Sequence, residues 1–397
     1  VSTGDEDARM ASFDRLMRDF LRKHGTPGAA LAVTEGGRLV YARGYGYADV
    51  ARKRKATPTS LFRIASISKP ITAMAVLQLV ERNRLGLDDK VFDLLEHEPH
   101  LEEGVSPDPR LGAITVRHLL QHRGGWDRNA SFDPMFQSVR FAKSLGVDPP
   151  AGPDEVIRAM LGRPLDFPPG ERYAYSNYGY CLLGRVIEVL TGETYEEYVK
   201  KNVLAPLGIT SMRIGRTRPG EPADDEVCYY DPGQDGSVFA GDLGRPVPAP
   251  YGAWYLEAMD SHGGWVGSAV DLARLACAFD EPEACKILNP ASIEEMFARP
   301  PGPAGHEADG KPKPVYYSCG WSNRVVGEGG KFNRWHTGSL PGTATILVRR
   351  HDGRNWVVLF NARMSPHVSH LTKAIDPLVH RAADEVREWP EHDLFEP

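Results

Sequence analysis

The 397-residue chain has only five cysteines and no Cys-x-x-Cys pair, so it offers neither a zinc ribbon nor an even disulfide framework. Cys277 and Cys285 are near enough in sequence to close a small loop in an exported chain, but buried free thiols are the expected state. Long apolar runs are also missing: Ile71 to Val80 is interrupted by Thr72 and Gln78 and falls far short of the ~20 residues of a membrane helix. There is no basic excess. With a formal net charge of −6, nucleic acid is excluded as a partner, and the short run Arg52-Lys53-Arg54-Lys55 reads as a solvated turn. The chain starts at Val1 with no basic-then-apolar leader, so any signal peptide is expected to have been removed or never present. Localisation is not legible directly; a periplasmic or secreted placement is favoured over a cytoplasmic one.

Several chemical motifs are absent too. His118 and His122 have the helical spacing of two zinc ligands, but Leu119 stands where the HExxH pattern needs glutamate, so no metal and no cofactor are expected. No serine sits in a GxSxG elbow, which excludes an α/β-hydrolase nucleophile. Gly327-Glu328-Gly329-Gly330-Lys331 lacks the P-loop frame, with Val325 at its first glycine position and Phe332 at its Ser or Thr, and reads as a hairpin turn.

What is present is an ordinary soluble composition, 41% apolar and 25% charged, long enough at roughly 150 residues per domain for two or three cores. Met10, Phe13, Met17, Phe20 and Leu21 share one face of a helix over Asp7 to Leu21. Ala29 to Thr34 and Leu39 to Ala42, joined through Glu35-Gly36-Gly37-Arg38, predict a hairpin. Strands are predicted again at Phe332–Thr337, Thr343–Arg349 and Trp356–Asn361, followed by a helix that starts at Asp376-Pro377. Between Ile64 and Leu207 the periodic segments are helical, at Ile71–Arg82, Val116–Leu120, Tyr180–Leu190 and Tyr195–Asn202. The economical arrangement is an α/β fold in which one antiparallel sheet, flanked by the N- and C-terminal helices, carries an inserted, mostly helical region. Residues 1–63 and 250–397 would form the sheet domain and 64–249 the insertion, with a loop-rich segment at 216–250.

Three short motifs, each occurring once, can carry chemistry. Ser66-Ile67-Ser68-Lys69 opens a helix apolar on nearly every face, and a spacing of three lets the Lys69 amine reach the Ser66 hydroxyl. Serine needs an adjacent base to become a nucleophile, and a desolvated lysine can act as one. Pro70 fits a first turn. Taken alone, Ser66 and Lys69 also fit an N-cap and a surface lysine. Tyr175-Ser176-Asn177 follows the turn Pro168-Pro169-Gly170 on a loop held at both ends, where a phenol can relay a proton and an asparagine can bind an amide. Tyr173, Tyr175, Tyr178 and Tyr180 fit an aromatic packing cluster equally well. His336-Thr337-Gly338-Ser339 ends a strand, with Gly338 allowing close backbone approach.

In this order the motifs resemble the SxxK, YxN and KTG or HTG set of serine penicillin-binding proteins and class C β-lactamases, with their DD-peptidase and esterase relatives. Leu61-Phe62-Arg63-Ile64-Ala65-Ser66, Leu119-Leu120-Gln121-His122, Phe167-Pro168-Pro169-Gly170, Ala205-Pro206-Leu207-Gly208 and Gly263-Gly264-Trp265-Val266-Gly267-Ser268 are similar to further segments of that family. The family fold is an antiparallel sheet with flanking helices and a helical insertion. The resemblance implies Ser66 as the acylated nucleophile, Lys69 as its base and Tyr175 as the proton relay. Asn177, His336, Thr337, Gly338 and Ser339 would bind substrate, and the backbone N–H groups of Ser66 and Ser339 would form the oxyanion hole. It implies a small amide, peptide or ester as substrate, DD-peptidase-like first, then carboxylesterase, then β-lactamase. A catalytically idle scaffold or binding protein is the reading from another class, and the intact Ser66, Lys69 and Tyr175 count against it. Monomer is the default oligomeric state. The likeness is weaker over Glu221–Met259 and at Arg123-Gly124-Gly125-Trp126. Histidine in place of the motif's lysine removes a permanent cation, so recognition of a substrate carboxylate is expected to weaken or to come from elsewhere. Arg334, two residues earlier, is one source, although an edge arginine in solvent is the plainer expectation.

Overall fold

A computed structural model describes residues 1–218 and 225–395, so part of the 216–250 and 221–259 stretches lies outside the described residues. The strands are β1 (Ser2–Thr3), β2 (Gly28–Glu35), β3 (Arg38–Asp49), β4 (Arg54–Lys55), β5 (Phe62–Arg63), β6 (Arg213–Ile214), β7 (Gln234–Gly236), β8 (Pro246–Pro248), β9 (Trp265–Gly267), β10 (Val315–Tyr317), β11 (Ser322–Val326), β12 (Lys331–Leu340), β13 (Thr343–Arg349) and β14 (Arg354–Phe360). The helices that matter for the site are α1 (Ala11–His24), α2 (Ser68–Glu81), α3 (Val116–Leu120), α4 (Asn177–Thr191), α5 (Ala269–Cys277) and α6 (Leu371–Glu385). One antiparallel sheet runs in the order β1-β3-β2-β14-β13-β12-β11-β10, with β4 on β3. The two ends of the chain meet where β2 pairs with β14, with Val357 opposite Ala32.

Period-2 alternation explains the layering. Leu31, Val33, Ile346, Val348, Trp356 and Val358 point to one face, where Phe13, Met17 and Phe20 of α1 and Ile375 and Val379 of α6 cover them. Ala30, Ala32, Leu347, Val357 and Leu359 point to the other, into a larger core shared with the helical region. On that side α5 packs on β2 and β14. Helix α2 is buried from Ser68 to Leu79, as a helix apolar all round must be. The 216–250 stretch contributes the β7–β8 ribbon.

Local signals mislead at four places. Helix α6 starts at Leu371, not at Asp376, and Pro377 lies inside it. Leu371 and Ile375 extend the buried face of Val379 toward the N-terminus, and their burial outweighs the N–H that the proline lacks. His118 and His122 do not share a helix: α3 ends at Leu120, and His122 is left-handed at φ 55°. His336 to Ser339 do not end a strand, because β12 continues to Leu340 and pairs with β13 throughout. Arg334 is not an edge residue, since β12 lies between β11 and β13. Its guanidinium sits 4.1 Å from the Phe297 ring centroid. All five cysteines are free.

Candidate active site

Ser66 is fixed by the chain on both sides. Before it, β5 pairs with β9, and the Thr343 and Thr345 hydroxyls of β13 donate to the carbonyls of Arg63 (2.8 Å) and Ile64 (2.9 Å). Gly338 of β12 lies against the same segment so closely that a Cβ there would collide with the Ile64 carbonyl and the Thr345 hydroxyl. Ala65 then turns the chain in a left-handed conformation, φ 49°, a position costing ~1 to 2 kcal/mol for a non-glycine residue. A single tight turn, Ala65–Ile67, leads into α2. Among its buried neighbours Ser66 is half-exposed, opening on a cavity of about 370 Å³ lined also by Asn177, Trp254, Met259 and Ser339.

The Lys69 amine is wholly buried. Its Nζ lies 2.8 Å from Asn177 Oδ1, 2.8 Å from the His262 carbonyl and 3.2 Å from Ser66 Oγ. Burial pushes its pKa well below the usual lysine range, with Arg128 adding to that and Asp133 opposing it. A neutral amine has two N–H donors and one lone pair. Asn177 Oδ1 and the His262 carbonyl can only accept, so they take both donors and leave the lone pair for the Ser66 hydroxyl. The orientation of Asn177 is set from behind, because its Nδ2 donates to Asp133 Oδ2 at 2.6 Å.

Tyr175 completes the cluster. Its ring centroid is 4.7 Å from Lys69 Nζ, so it stands beside the Ser66–Lys69 pair. Burial raises its pKa, so it stays a phenol. His122 holds the Tyr175 loop from both sides: its carbonyl accepts the Ala174 N–H (2.8 Å) and its Nδ1 accepts the Ser176 N–H (3.1 Å). The two ring centroids are 4.2 Å apart.

His336 is buried, and burial lowers its pKa to about 3. Its Nδ1 faces the Thr337 carbonyl at 2.8 Å, which only accepts, so the proton is on Nδ1 and Nε2 accepts from the Tyr317 hydroxyl at 3.0 Å. The Thr337 side chain is exposed and does not line the cavity; its carbonyl is the part that contributes. Past Trp335 β12 is free of β11, and its outer edge at Ser339 to Pro341 borders the cavity.

The structure therefore puts Ser66, Asn177 and Ser339 in the wall of one cavity, with Lys69 bonded to Ser66 and Asn177 behind it and the Tyr175 ring beside Lys69. His336, Thr337 and Gly338 are on β12 outside that wall. Asp133, His262, Tyr317 and Arg128 join them without a signal in the sequence. His122 had one, in the segment Leu119-Leu120-Gln121-His122. Among the described residues no group of three or more His, Cys, Asp or Glu is placed to hold a metal ion. A larger hollow of about 810 Å³, lined by Arg52, Tyr229 and Tyr251, contains none of these groups.

A hydroxyl beside a buried amine, at the head of a buried helix and facing an antiparallel sheet, defines the class of serine acyl-transfer hydrolases. The chain belongs to the beta-lactamase family, whose model matches residues 13–378, and it is a serine hydrolase of that fold. It is 29% identical over 342 residues to Penicillin-binding protein 4* of Bacillus subtilis (strain 168), an alignment covering 85% of this chain and 68% of that protein. It is 31% identical over 216 residues to Protein flp of Staphylococcus aureus (strain N315), covering 54% of this chain and 40% of that one, less than half its length. Among solved structures, the octameric penicillin-binding protein homologue from Pyrococcus abyssi superposes with a TM-score of 0.69 at 25% identity, covering 93% of this chain and 77% of that chain. No helix among the described residues is long and apolar enough to cross a membrane.

Proposed function

We propose that the chain hydrolyses a small amide, peptide or ester through an acyl-enzyme on Ser66, with DD-peptidase-like cleavage ranked first, carboxylesterase next and β-lactamase third. The observation that carries this reading is the occupancy of Lys69, whose two N–H donors are spent on Asn177 and His262 while its lone pair faces Ser66 Oγ. Ser66 Oγ attacks the substrate carbonyl carbon as its proton passes to Lys69 Nζ. The N–H groups of Ser66 and Ser339 stabilise the oxyanion. The tetrahedral intermediate collapses, the bond to the leaving group breaks, and the proton held on Lys69 reaches that group through the Tyr175 hydroxyl. Water then attacks the ester, gives a proton back along the same path, and releases the acid. Asn177, on the cavity wall, orients the substrate, and His336, with both ring nitrogens engaged, acts from behind by holding the Tyr317 hydroxyl.

The peptidase ranking is supported by the penicillin-binding relatives. The test is intact-protein mass after incubation with a penicillin and with a 4-nitrophenyl ester, against Ser66→Ala. A mass increment in the parent chain and none in the variant is expected, and no increment with either reagent overturns the nucleophile. Turnover of a D-Ala-D-Ala peptide, the ester and a cephalosporin then ranks the substrates, and fast cephalosporin turnover reverses the order.

A further inference from the structure

Two basic side chains lie over the Tyr175 ring. The buried Lys69 Nζ is 4.7 Å from its centroid, and the guanidinium carbon of the half-exposed Arg128 is at the same distance. Among the described residues Arg128 makes one ion pair, to Asp133 Oδ2 at 3.9 Å, and no side-chain hydrogen bond, so that carboxylate and the face of the phenol hold it. The same Asp133 oxygen accepts from Asn177 Nδ2, and Asn177 Oδ1 accepts from Lys69 Nζ. Arg128, Asp133, Asn177, Lys69 and the Tyr175 ring thus close a circuit around the amine. The backbone beneath Arg128 is fixed as well. Asp127 Oδ1 accepts the Asn129 N–H at 2.9 Å, and the Asp127 carbonyl accepts the Ala130 and Ser131 N–H groups at 3.0 Å. Asp127 Oδ2 accepts from Arg172, three residues before Tyr175, at 2.9 Å, which ties the turn bearing Arg128 to the loop bearing the phenol.

We propose that Arg128 is a positioning residue for acyl transfer: its guanidinium holds the Tyr175 ring beside Lys69 and keeps a permanent positive charge near an amine whose own charge must be transient. The proposal rests on the reading of Ser66 as nucleophile and Lys69 as base, and deepens it. The amine takes a proton from Ser66 and has to surrender it to the leaving group. A fixed cation nearby raises the energy of the ammonium, which keeps the resting amine free to accept and sends the proton onward. Asp133 acts in the opposite sense, so the two residues set the basicity of Lys69 between them. Other titratable groups face the amine, but burial keeps His122, His262 and His336 neutral and Tyr175 and Tyr180 phenolic around neutral pH. Arg128 also borders the cavity, so a direct substrate contact is the competing role.

The test uses 4-nitrophenyl acetate, which offers a guanidinium no carboxylate, and two variants: Arg128→Met keeps the length and loses the charge, whereas Arg128→Lys keeps the charge and loses the planar stack. The acylation rate constant is read from the 4-nitrophenolate burst. In Arg128→Met it should fall about 10-fold, less than the ~100-fold of a full 1 Å misplacement, with the half-saturating ester concentration within about twofold of the parent's. Its rising pH limb should move up by about half a pH unit, the effect of one screened charge lost. Arg128→Lys should leave the limb in place and recover part of the rate. A parent-like rate and limb in Arg128→Met overturn the proposal. So does a rate loss with the limb unmoved, which marks packing alone, and so does a change confined to half-saturation, which marks a substrate contact. The stack itself is read without chemistry, by urea unfolding of Arg128→Met, Tyr175→Leu and the double variant. The double variant should lose less stability than the two single losses together, because each removes the same contact. Additive losses overturn the proposal. Non-additive losses in a chain whose Ser66 is never acylated sustain the stack and refute the acyl-enzyme reading.

Discussion

Replacing His122 with phenylalanine separates its two contributions, because the ring that stacks on Tyr175 is kept while the acceptor of the Ser176 N–H is lost. That N–H is buried, and leaving it without a partner costs about 1 to 3 kcal/mol. Phenylalanine tolerates the left-handed backbone at φ 55° less well than histidine, adding ~1 kcal/mol. Against this, the Nε2–H of His122 has no partner in its buried site, so its removal returns ~1 kcal/mol. The net loss of stability is about 1 to 3 kcal/mol, readable in urea unfolding. The kinetic effect is larger. Two backbone hydrogen bonds flank Tyr175, and with one gone the ring is no longer held firmly beside Lys69. Misplacement of a reacting group by ~1 Å costs on the order of 100-fold in rate. Acylation by a 4-nitrophenyl ester should therefore slow by ~10- to 100-fold with KM nearly unchanged. His122→Asn, which accepts a hydrogen bond and tolerates the left-handed region, should recover part of the rate. A His122→Phe variant as stable and as active as the parent refutes the positioning role.

Three further outcomes follow from the same geometry. His336 is held to a pKa of about 3, and burial also depresses His122 and His262, so between pH 6.5 and about 3 the unfolded chain binds protons that the folded chain refuses. Stability should therefore rise with pH up to about 6.5, and urea unfolding at pH 5 and 7 should show a smaller difference for His336→Gln; an equal difference refutes the assignment. Gly338→Ala should cost about 3 kcal/mol or more, since backbone cannot yield as a side-chain tip does, and a parent-like Tm with parent-like acylation contradicts it. Acylation should require the unprotonated amine and rise with pH through the depressed pKa of Lys69. Because the Asp133 carboxylate favours the charged amine, Asp133→Asn should move that limb to lower pH, and a limb that stays put or moves up refutes the coupling.

How much of this was legible in the residues depends on the range of the interaction. Ser66 and Lys69 are three apart on one turn, and β2, β3, β13 and β14 alternate with period 2, so local spacing suffices for both. The start of α6 was hidden because Asp376-Pro377 is a strong local signal, whereas the burial of Leu371 and Ile375 that overrides it depends on a sheet assembled from the other end of the chain. The environment of Lys69 has no local signature at all. Asn177 is 108 residues away, the His262 carbonyl 193, and Asp133 acts through Asn177.

The same distinction separates two arginines, Arg334 and Arg363. Arg334 is two residues from His336, which made it the natural source of a cation, but the strand order that places β11 outside β12 lays it over Phe297. Arg363 is 27 residues further along and enters the cavity because β14 runs antiparallel beside β13 and returns the chain to the end of the sheet where β12 carries Ser339. Sequence neighbours of a motif share its strand, whereas residues that line the cavity arrive on other strands and loops. A serine, a lysine and a tyrosine at the right spacings therefore point to the reaction class, and the wall of the cavity beside the serine is built by residues that only the sheet order brings within reach.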